Sequence, residues 1–240
     1  MTRRDELARR ASFNNLVDEG VYSDDFDHPP ALKAFVQKVL AAHGPSGRAE
    51  APLRILDCGC GTGLWLEFLA RQLEHAGREV ICYGFDLSDS MVELAQSRLA
   101  ARQGGGNIQR GDLLDEAAYR FGGMRDGYDL VFAFDVVQQL PCRHQYAASE
   151  LMAKKLTPGG VALIFDHDRS SPYGRSMGWK KFVTRYFGVP LLPRYYCDAR
   201  YPPLARFTTR LGSEAGLEVE LIADTATPKM AMVLTKKEQG

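Results

Sequence analysis

A chain of 240 residues with 30 basic and 30 acidic side chains carries no formal net charge, and 45% of it is apolar. That length suits one domain, or one domain with a modest insertion, and the balanced charge gives no general case for nucleic acid. No run approaches the length of a membrane span and the N-terminus MTRRDELARR lacks an apolar signal segment, so a cytoplasmic location is the default expectation. Cys58, Cys60, Cys82, Cys142 and Cys197 are odd in number and scattered, and Cys58-x-Cys60 is not a zinc spacing. They read as reduced packing thiols, with no metal site expected.

In chain order, residues 1–10 read as a helical or frayed start, and residues 13–27 hold an acidic cluster in which Tyr22 and Phe26 could cover a ligand. His28-Pro-Pro30 ends this lead-in, proline suiting a first helical turn. Residues 31–42 (ALKAFVQKVLAA) form an amphipathic helix with Gly44 as its stop. A short apolar strand, Leu53 to Leu56, then leads through Asp57 into glycines at 59, 61 and 63. Leu64, Trp65, Phe68, Leu69 and Leu73 follow at helical spacing. Further strands are expected at 80–87, 107–113, 128–136 and 161–166. The helix at 141–156 and the turn Thr157-Pro-Gly-Gly160 precede the last of these, and a short helix is expected at 115–121. A helix at 204–215 and two strands at 217–223 and 230–235, joined around Pro228, close the chain.

Strand, glycine turn, helix is the plan of a nucleotide site in an open parallel sheet, where ligands bind beyond the carboxyl ends of the strands. A dinucleotide turn spaces its glycines as Gly-x-Gly-x-x-Gly, whereas here the third glycine comes one residue early and Asp57 sits at the strand end. A carboxylate there repels a pyrophosphate and attracts a cation. Asp86 ends the second strand 23 residues after Gly63, where an acidic side chain can accept both ribose hydroxyls; Ser88 is the better N-cap of the next helix. The end of the fourth strand, Ala133-Phe134-Asp135, should lie beside the glycine turn, where a backbone carbonyl can hold an ammonium group.

The stretch Asp57-Cys-Gly-Cys-Gly-Thr-Gly63 resembles the first motif of the class I (Rossmann-like) S-adenosylmethionine-dependent methyltransferases, and Gly84-Phe-Asp-Leu-Ser-Asp-Ser-Met91 resembles their second. The resemblance runs over residues 53–166. It implies S-adenosylmethionine as cofactor and S-adenosylhomocysteine as product. It places Asp57, Gly59, Cys60, Gly61, Gly63, Asp86 and Phe134 around the cofactor, Leu87 and Met91 on either side of the adenine, and Asp112 and Leu113 at its edge. It also implies that the segment before the leading helix is a lid. Val136-Val-Gln-Gln-Leu140 resembles the segment at the active-site floor, with Gln138 and Gln139 where many members carry histidine.

Residues 169–210 fit no part of that core. They carry nine basic residues and one acidic one, interleaved with aromatics, and follow the fifth strand. This stretch reads as a helical or irregular cap over the substrate side, with Tyr22, Tyr173, Arg175, Trp179 and Tyr195 as candidate acceptor contacts. Its aromatics could equally pack on the core. His167 and Asp166, at the end of the fifth strand, are the candidate bases, with Gln138 beside them.

The expected fold is α/β: a doubly wound, mostly parallel seven-stranded sheet with a C-terminal antiparallel hairpin and a cap insertion. Residues 1–50 form the lid and leading helix, 51–168 the cofactor-binding core, 169–203 the cap, and 204–240 the closing helix and strands. The expected activity is methylation of a small-molecule acceptor, acidic or aromatic. RNA or a carrier-protein-tethered acceptor, a non-catalytic cofactor-binding module and a hydride-transferring dehydrogenase are the competing readings.

Overall fold

A computed structural model describes residues 27–45, 51–100, 102, 105–122, 127–192, 199–214 and 217–237. The lead-in before Asp27, with Tyr22, lies outside the described residues, as do Tyr195 and Cys197. Helix α1 (Pro30–His43) precedes strand β1 (Leu53–Cys58), α2 (Leu64–His75), β2 (Val80–Asp86), α3 (Asp89–Ala100) and β3 (Asn107–Arg110). Strand β4 (Tyr128–Phe134), α4 (Cys142–Lys154), β5 (Leu156–Asp166), α5 (Pro172–Phe187), α6 (Leu204–Glu214), β6 (Leu217–Ala223) and β7 (Met230–Lys236) follow.

The seven strands lie in the order β3-β2-β1-β4-β5-β7-β6. The first five are parallel, and β7 enters antiparallel between β5 and β6. The order therefore reverses between β1 and β4, and the crevice beyond their carboxyl ends is where an open α/β sheet binds its ligand. Alternation along the strands sends successive side chains to opposite faces. Ile55, Leu163 and Val233 meet α1, α2 and α3 on one face. Leu56, Ile164 and Leu234 meet α4 and α6 on the other. Both faces are covered, which is why these strands read as continuous apolar runs.

Several boundaries differ from the sequence expectation. Strand β3 stops at Arg110, so Asp112 lies in the following loop and not on the strand. The short helix there is a single 3-10 turn, Glu116–Tyr119, capped by Asp115. Strand β4 stops at Phe134 because Asp135 takes a positive φ of 60°. Thr157 to Gly160 is part of β5 and not a free turn: pairing jumps from Tyr128↔Leu156 to Leu130↔Val161, so the extra residues form an irregular bulge. A Cβ on Gly160 would lie 2.9 Å from the Tyr128 carbonyl oxygen, which explains a glycine there. Among the described residues no helix is long and apolar enough to cross a membrane.

Candidate active site at the β1–β4 switch

The turn after β1 is built by three left-handed glycines with φ of 76°, 52° and 81° at Gly59, Gly61 and Gly63. Such angles strain residues with a Cβ. Their surroundings differ. A Cβ on Gly59 would sit 2.7 Å from both Val136 methyls, and one on Gly63 3.2 Å from Ala95, whereas one on Gly61 would meet nothing within 4 Å. Gly59 and Gly63 are therefore glycines for close packing, and Gly61 alone faces open space. The Gly59 and Cys60 N–H groups donate to the Phe85 carbonyl at 2.8 and 2.9 Å, tying the turn to β2.

Asp86 is the hinge pin of this arrangement. Its Oδ2 accepts the Gly61 N–H and its Oδ1 the Ser88 N–H, both at 2.9 Å. Burial pushes its carboxyl above the usual range, opposed by the Ser88, Gly61 and Leu87 N–H groups. Ser88 caps α3 as expected, its Oγ accepting the Met91 N–H at 3.2 Å. Beneath the turn, Asp57 is 2% exposed and its Oδ2 has no hydrogen-bond partner. Burial first, then the negative charge of Asp86, push Asp57 well above the ordinary carboxyl range. This pair of carboxyls would be relieved by a ligand bringing hydroxyl donors and a positive charge, and aggravated by one bringing phosphates. The residues thus fit an adenosyl group joined to a cationic amino-acid portion.

Leu87, just after β2, is half-buried, and Met91, in the first turn of α3, is buried. Asp112 holds the Leu114 N–H at 2.9 Å, and the Leu113 carbonyl accepts the Tyr119 hydroxyl at 3.0 Å, so the β3 loop is fixed from both sides. At the other end of the crevice stands a wall that sequence reasoning missed. His28 stacks on Trp65 at 4.2 Å, and Trp65 lies 4.6 Å from Phe134. Burial lowers the His28 pKa to about 4, so this ring is neutral at pH 7. Trp65 fits the helical period and reads simply as core. Only its buried, unpartnered Nε1 marks it as more than that.

On the acceptor side, the structure brings Asp166, His167 and Gln138 together. The Gln138 N–H donates to Asp166 Oδ2 at 3.1 Å, and its side-chain amide donates to Asp135 Oδ1 at 2.7 Å. Asp135 Oδ1 also pairs with Lys229, a lysine only 5% exposed whose Nζ lies 5.2 Å from the Phe134 ring. Lys229 follows the Pro228 turn before β7 and was invisible as a site residue, because it is 94 positions from its partner. Burial, then the charge of Asp135, drive Asp166 well above its usual range, with Lys229 and the Gln138 and His167 N–H groups pulling back. Asp166 is thus a fully buried carboxyl whose charged form is disfavoured, and its hydrogen bond from the Gln138 N–H suits it to positioning Gln138.

His167 is 8% exposed between two rings, stacked on Tyr173 at 4.6 Å and tilted against Tyr201 at 4.8 Å. Its Nδ1 lies 3.2 Å from the Pro228 carbonyl, which assigns the proton to Nδ1 and leaves the Nε2 lone pair as acceptor. Burial, then Lys229, lower its pKa to about 4. Of the residues expected on the cap, Tyr173 joins the site. Trp179 does not: it stands 65% exposed on α5. Arg175 is exposed too and hydrogen-bonds the Ser170 carbonyl at the start of its own helix. The two ends of the 169–203 segment are tied to each other by the Arg169 N–H on the Pro202 carbonyl (2.9 Å), and the segment is tied to the core by the Arg200 N–H on the Gln138 carbonyl (2.7 Å). Cys58, Cys60 and Cys82 are buried thiols whose pKa is raised by burial, which suits packing and not reactivity.

The strand order, glycine turn and closing antiparallel pair define a Rossmann-like methyltransferase fold. The magnesium protoporphyrin IX methyltransferase of Synechocystis PCC 6803, solved with bound S-adenosylhomocysteine, shares it. That structure has a TM-score of 0.64 over 97% of this chain and all of that one, at 19% identity. Residues 55–160 match the model of the methyltransferase domain family. The ubiquinone biosynthesis O-methyltransferase of Chelativorans sp. (strain BNC1) is 32% identical over 162 residues, 65% of this chain and 59% of that protein. The malonyl-[acyl-carrier protein] O-methyltransferase of Paenibacillus sp. (strain JDR-2) is 31% identical over 98 residues, 41% of this chain and 33% of that one. The chain thus spans about three-fifths of the length of the first of these curated relatives. Residues 55–160 thus carry a methyltransferase domain, in a fold that S-adenosylmethionine-dependent methyltransferases share.

Proposed function

We propose that this protein binds S-adenosylmethionine in the β1–β4 crevice and methylates a small aromatic or acidic acceptor. The observation that carries the reading is the open left-handed turn at Gly61, held by Asp86 above an unpartnered Asp57. Asp86 would accept the ribose hydroxyls, Leu87 and Met91 would flank the adenine, and Asp112 and the Leu113 N–H would read its edge. When bound, the cofactor supplies a methyl group made electrophilic by a sulfonium. The His28–Trp65–Phe134 rings would give that end of the crevice an aromatic wall.

Tyr173, half-buried beside His167, offers aromatic surface to an acceptor, with the buried Tyr201 backing the pair, and His167 Nε2 accepts a hydrogen bond from the acceptor's hydroxyl. A weak base suffices for that proton, because an oxygen that has gained a methyl group becomes strongly acidic while it still carries hydrogen. Lys229 and Gln138 hold Asp135, and through it the β4 end, in its left-handed conformation. Holding the acceptor oxygen in line with the cofactor's methyl group can supply roughly 7–11 kcal/mol of the barrier. The similarity to a ubiquinone biosynthesis O-methyltransferase and to a malonyl-[acyl-carrier protein] O-methyltransferase supports oxygen as the methylated atom.

The test is a calorimetric titration with S-adenosylmethionine and with NADH, followed by single-turnover transfer of labelled methyl from the cofactor to a metabolite extract. Binding of S-adenosylmethionine and labelling of a small molecule are expected. Binding of NADH alone overturns the reading, and cofactor binding without any transfer makes the protein a sensor.

A further inference from the structure

We infer that the exposed face of α5 is a docking surface for an anionic lipid bilayer, a role separate from the crevice. Within α5, Trp179, Phe182, Tyr186 and Phe187 are 65%, 45%, 71% and 69% exposed, and Val189 and Leu191 continue the apolar surface at 43% and 46%. An exposed apolar patch of this kind marks an interaction site. At about 100° per residue, Phe182, Tyr186 and Trp179 fall within about 60° of one another on the helix circumference. Lys180 lies about 100° to one side of Trp179 and Arg185 about 120° to the other. The stripe is therefore a narrow aromatic crest with an exposed cation on each flank.

The opposite face is committed. Gly174 and Met177 are buried: a Cβ on Gly174 would lie 2.1 Å from the Asp168 carbonyl oxygen in the loop before the helix, and Met177 packs with Ala199 and Tyr201, so this side is already covered. Charge selects the occupant. The helix carries Arg175, Lys180, Lys181 and Arg185 and no acidic residue. A symmetric contact with a second copy would set these cations against themselves. Aromatic rings with flanking lysine and arginine instead match the interface of a membrane with an acidic surface, where rings sit at headgroup level and cations meet the lipid phosphates.

The chain holds two tryptophans, and Trp65 is 6% exposed, so a change in emission on adding vesicles reports Trp179. The full chain is mixed with vesicles of phosphatidylcholine alone and of phosphatidylcholine with phosphatidylglycerol, and binding is read by sedimentation and by emission. Sedimentation with the anionic vesicles and a blue shift are expected, both fading with salt. Each of Lys180→Gln and Arg185→Gln should lower the partition coefficient about fivefold. Phe182→Ser with Tyr186→Ser should abolish the binding while the far-ultraviolet circular dichroism of the folded protein is kept, since the two rings pack on each other along the exposed side of the helix. Trp179→Phe should silence the shift and keep the sedimentation. Absence of vesicle binding overturns the proposal. So does binding indifferent to these substitutions, and so does a crest that, with no vesicle binding, retains single-stranded nucleic acid or drives self-association.

Discussion

The sharpest test of the crevice contrasts alanine at two glycines of the same turn. At Gly61, φ is 52° and the added Cβ meets nothing within 4 Å, so the folded protein bears only the left-handed backbone strain. That strain is about 1–2 kcal/mol. For a domain of this size it lowers Tm by roughly 2–8 °C, at 2–4 °C per kcal/mol. At Gly59, the same strain is joined by a Cβ 2.7 Å from both methyls of Val136, a β-branched side chain with little rotamer freedom. Overpacking of that kind adds about 1–3 kcal/mol. Gly59→Ala should therefore melt lower than Gly61→Ala. Affinity for S-adenosylmethionine should rank the other way, because the Gly61 Cβ occupies the space the ligand needs. A tenfold loss corresponds to about 1.4 kcal/mol, and Gly61→Ala should lose at least that. Differential scanning calorimetry and isothermal titration on the two purified variants read both quantities. Wild-type affinity in a folded Gly61→Ala variant would refute the placement of the cofactor over this turn, whatever the melting order.

Asp86→Asn, which leaves one acceptor for the Gly61 and Ser88 N–H groups, should weaken S-adenosylmethionine roughly ten- to a hundredfold through the lost charge-assisted hydrogen bonds; unchanged titration isotherms would remove Asp86 from the ribose. Lys229→Met should destabilise the protein by about 1–3 kcal/mol, less than a fully buried pair because Asp135 is 36% exposed, and should lower kcat for methyl transfer more than cofactor affinity; a variant as active as wild type would show that Asp135 needs no cation. His28 and His167 resist protonation down to about pH 4, whereas the unfolded chain takes up those protons near 6.5. Their contribution is therefore complete above the unfolded pKa and is lost as pH falls from about 6.5 to 4, at up to about 1.4 kcal/mol per pH unit for each ring. Urea titrations of His28→Gln against wild type should converge toward acid pH across that window, and a constant difference would contradict the buried neutral ring. Asp166 has the opposite sign: its raised pKa favours the fold below the unfolded carboxyl pKa and is lost as pH rises, so Asp166→Asn should gain stability relative to wild type as the pH is raised from 4. A gain that shrank with rising pH would reverse the direction of the Asp166 shift.

What the sequence by itself determined is what local chemistry decides. Glycines at 59, 61 and 63 between an apolar run and a helical pattern mark a tight turn, and all three are left-handed. Apolar runs before Asp57 and Asp86 had to be strands buried on both faces, and the two segments after Gly216 had to close the sheet antiparallel. Ser88 was legible as a cap because its hydroxyl acts three residues away.

Tertiary structure alone decided the rest, and in each instance the reason is a contact distant along the chain. Strand β4 ends two residues early because Asp135, left-handed at φ 60°, is held by Gln138 and by Lys229, which no local pattern connects to it. His28 reads as the end of a lead-in until Trp65 and Phe134 meet it. The aromatics of the cap look equivalent in sequence. They separate only once Met177 packs with Ala199 and Tyr201, which turns Tyr173 toward His167 and leaves Trp179 in solvent. Composition says that a helix carries rings and cations; the side on which it is anchored says which of them reach the chemistry and which remain free to meet something outside the molecule.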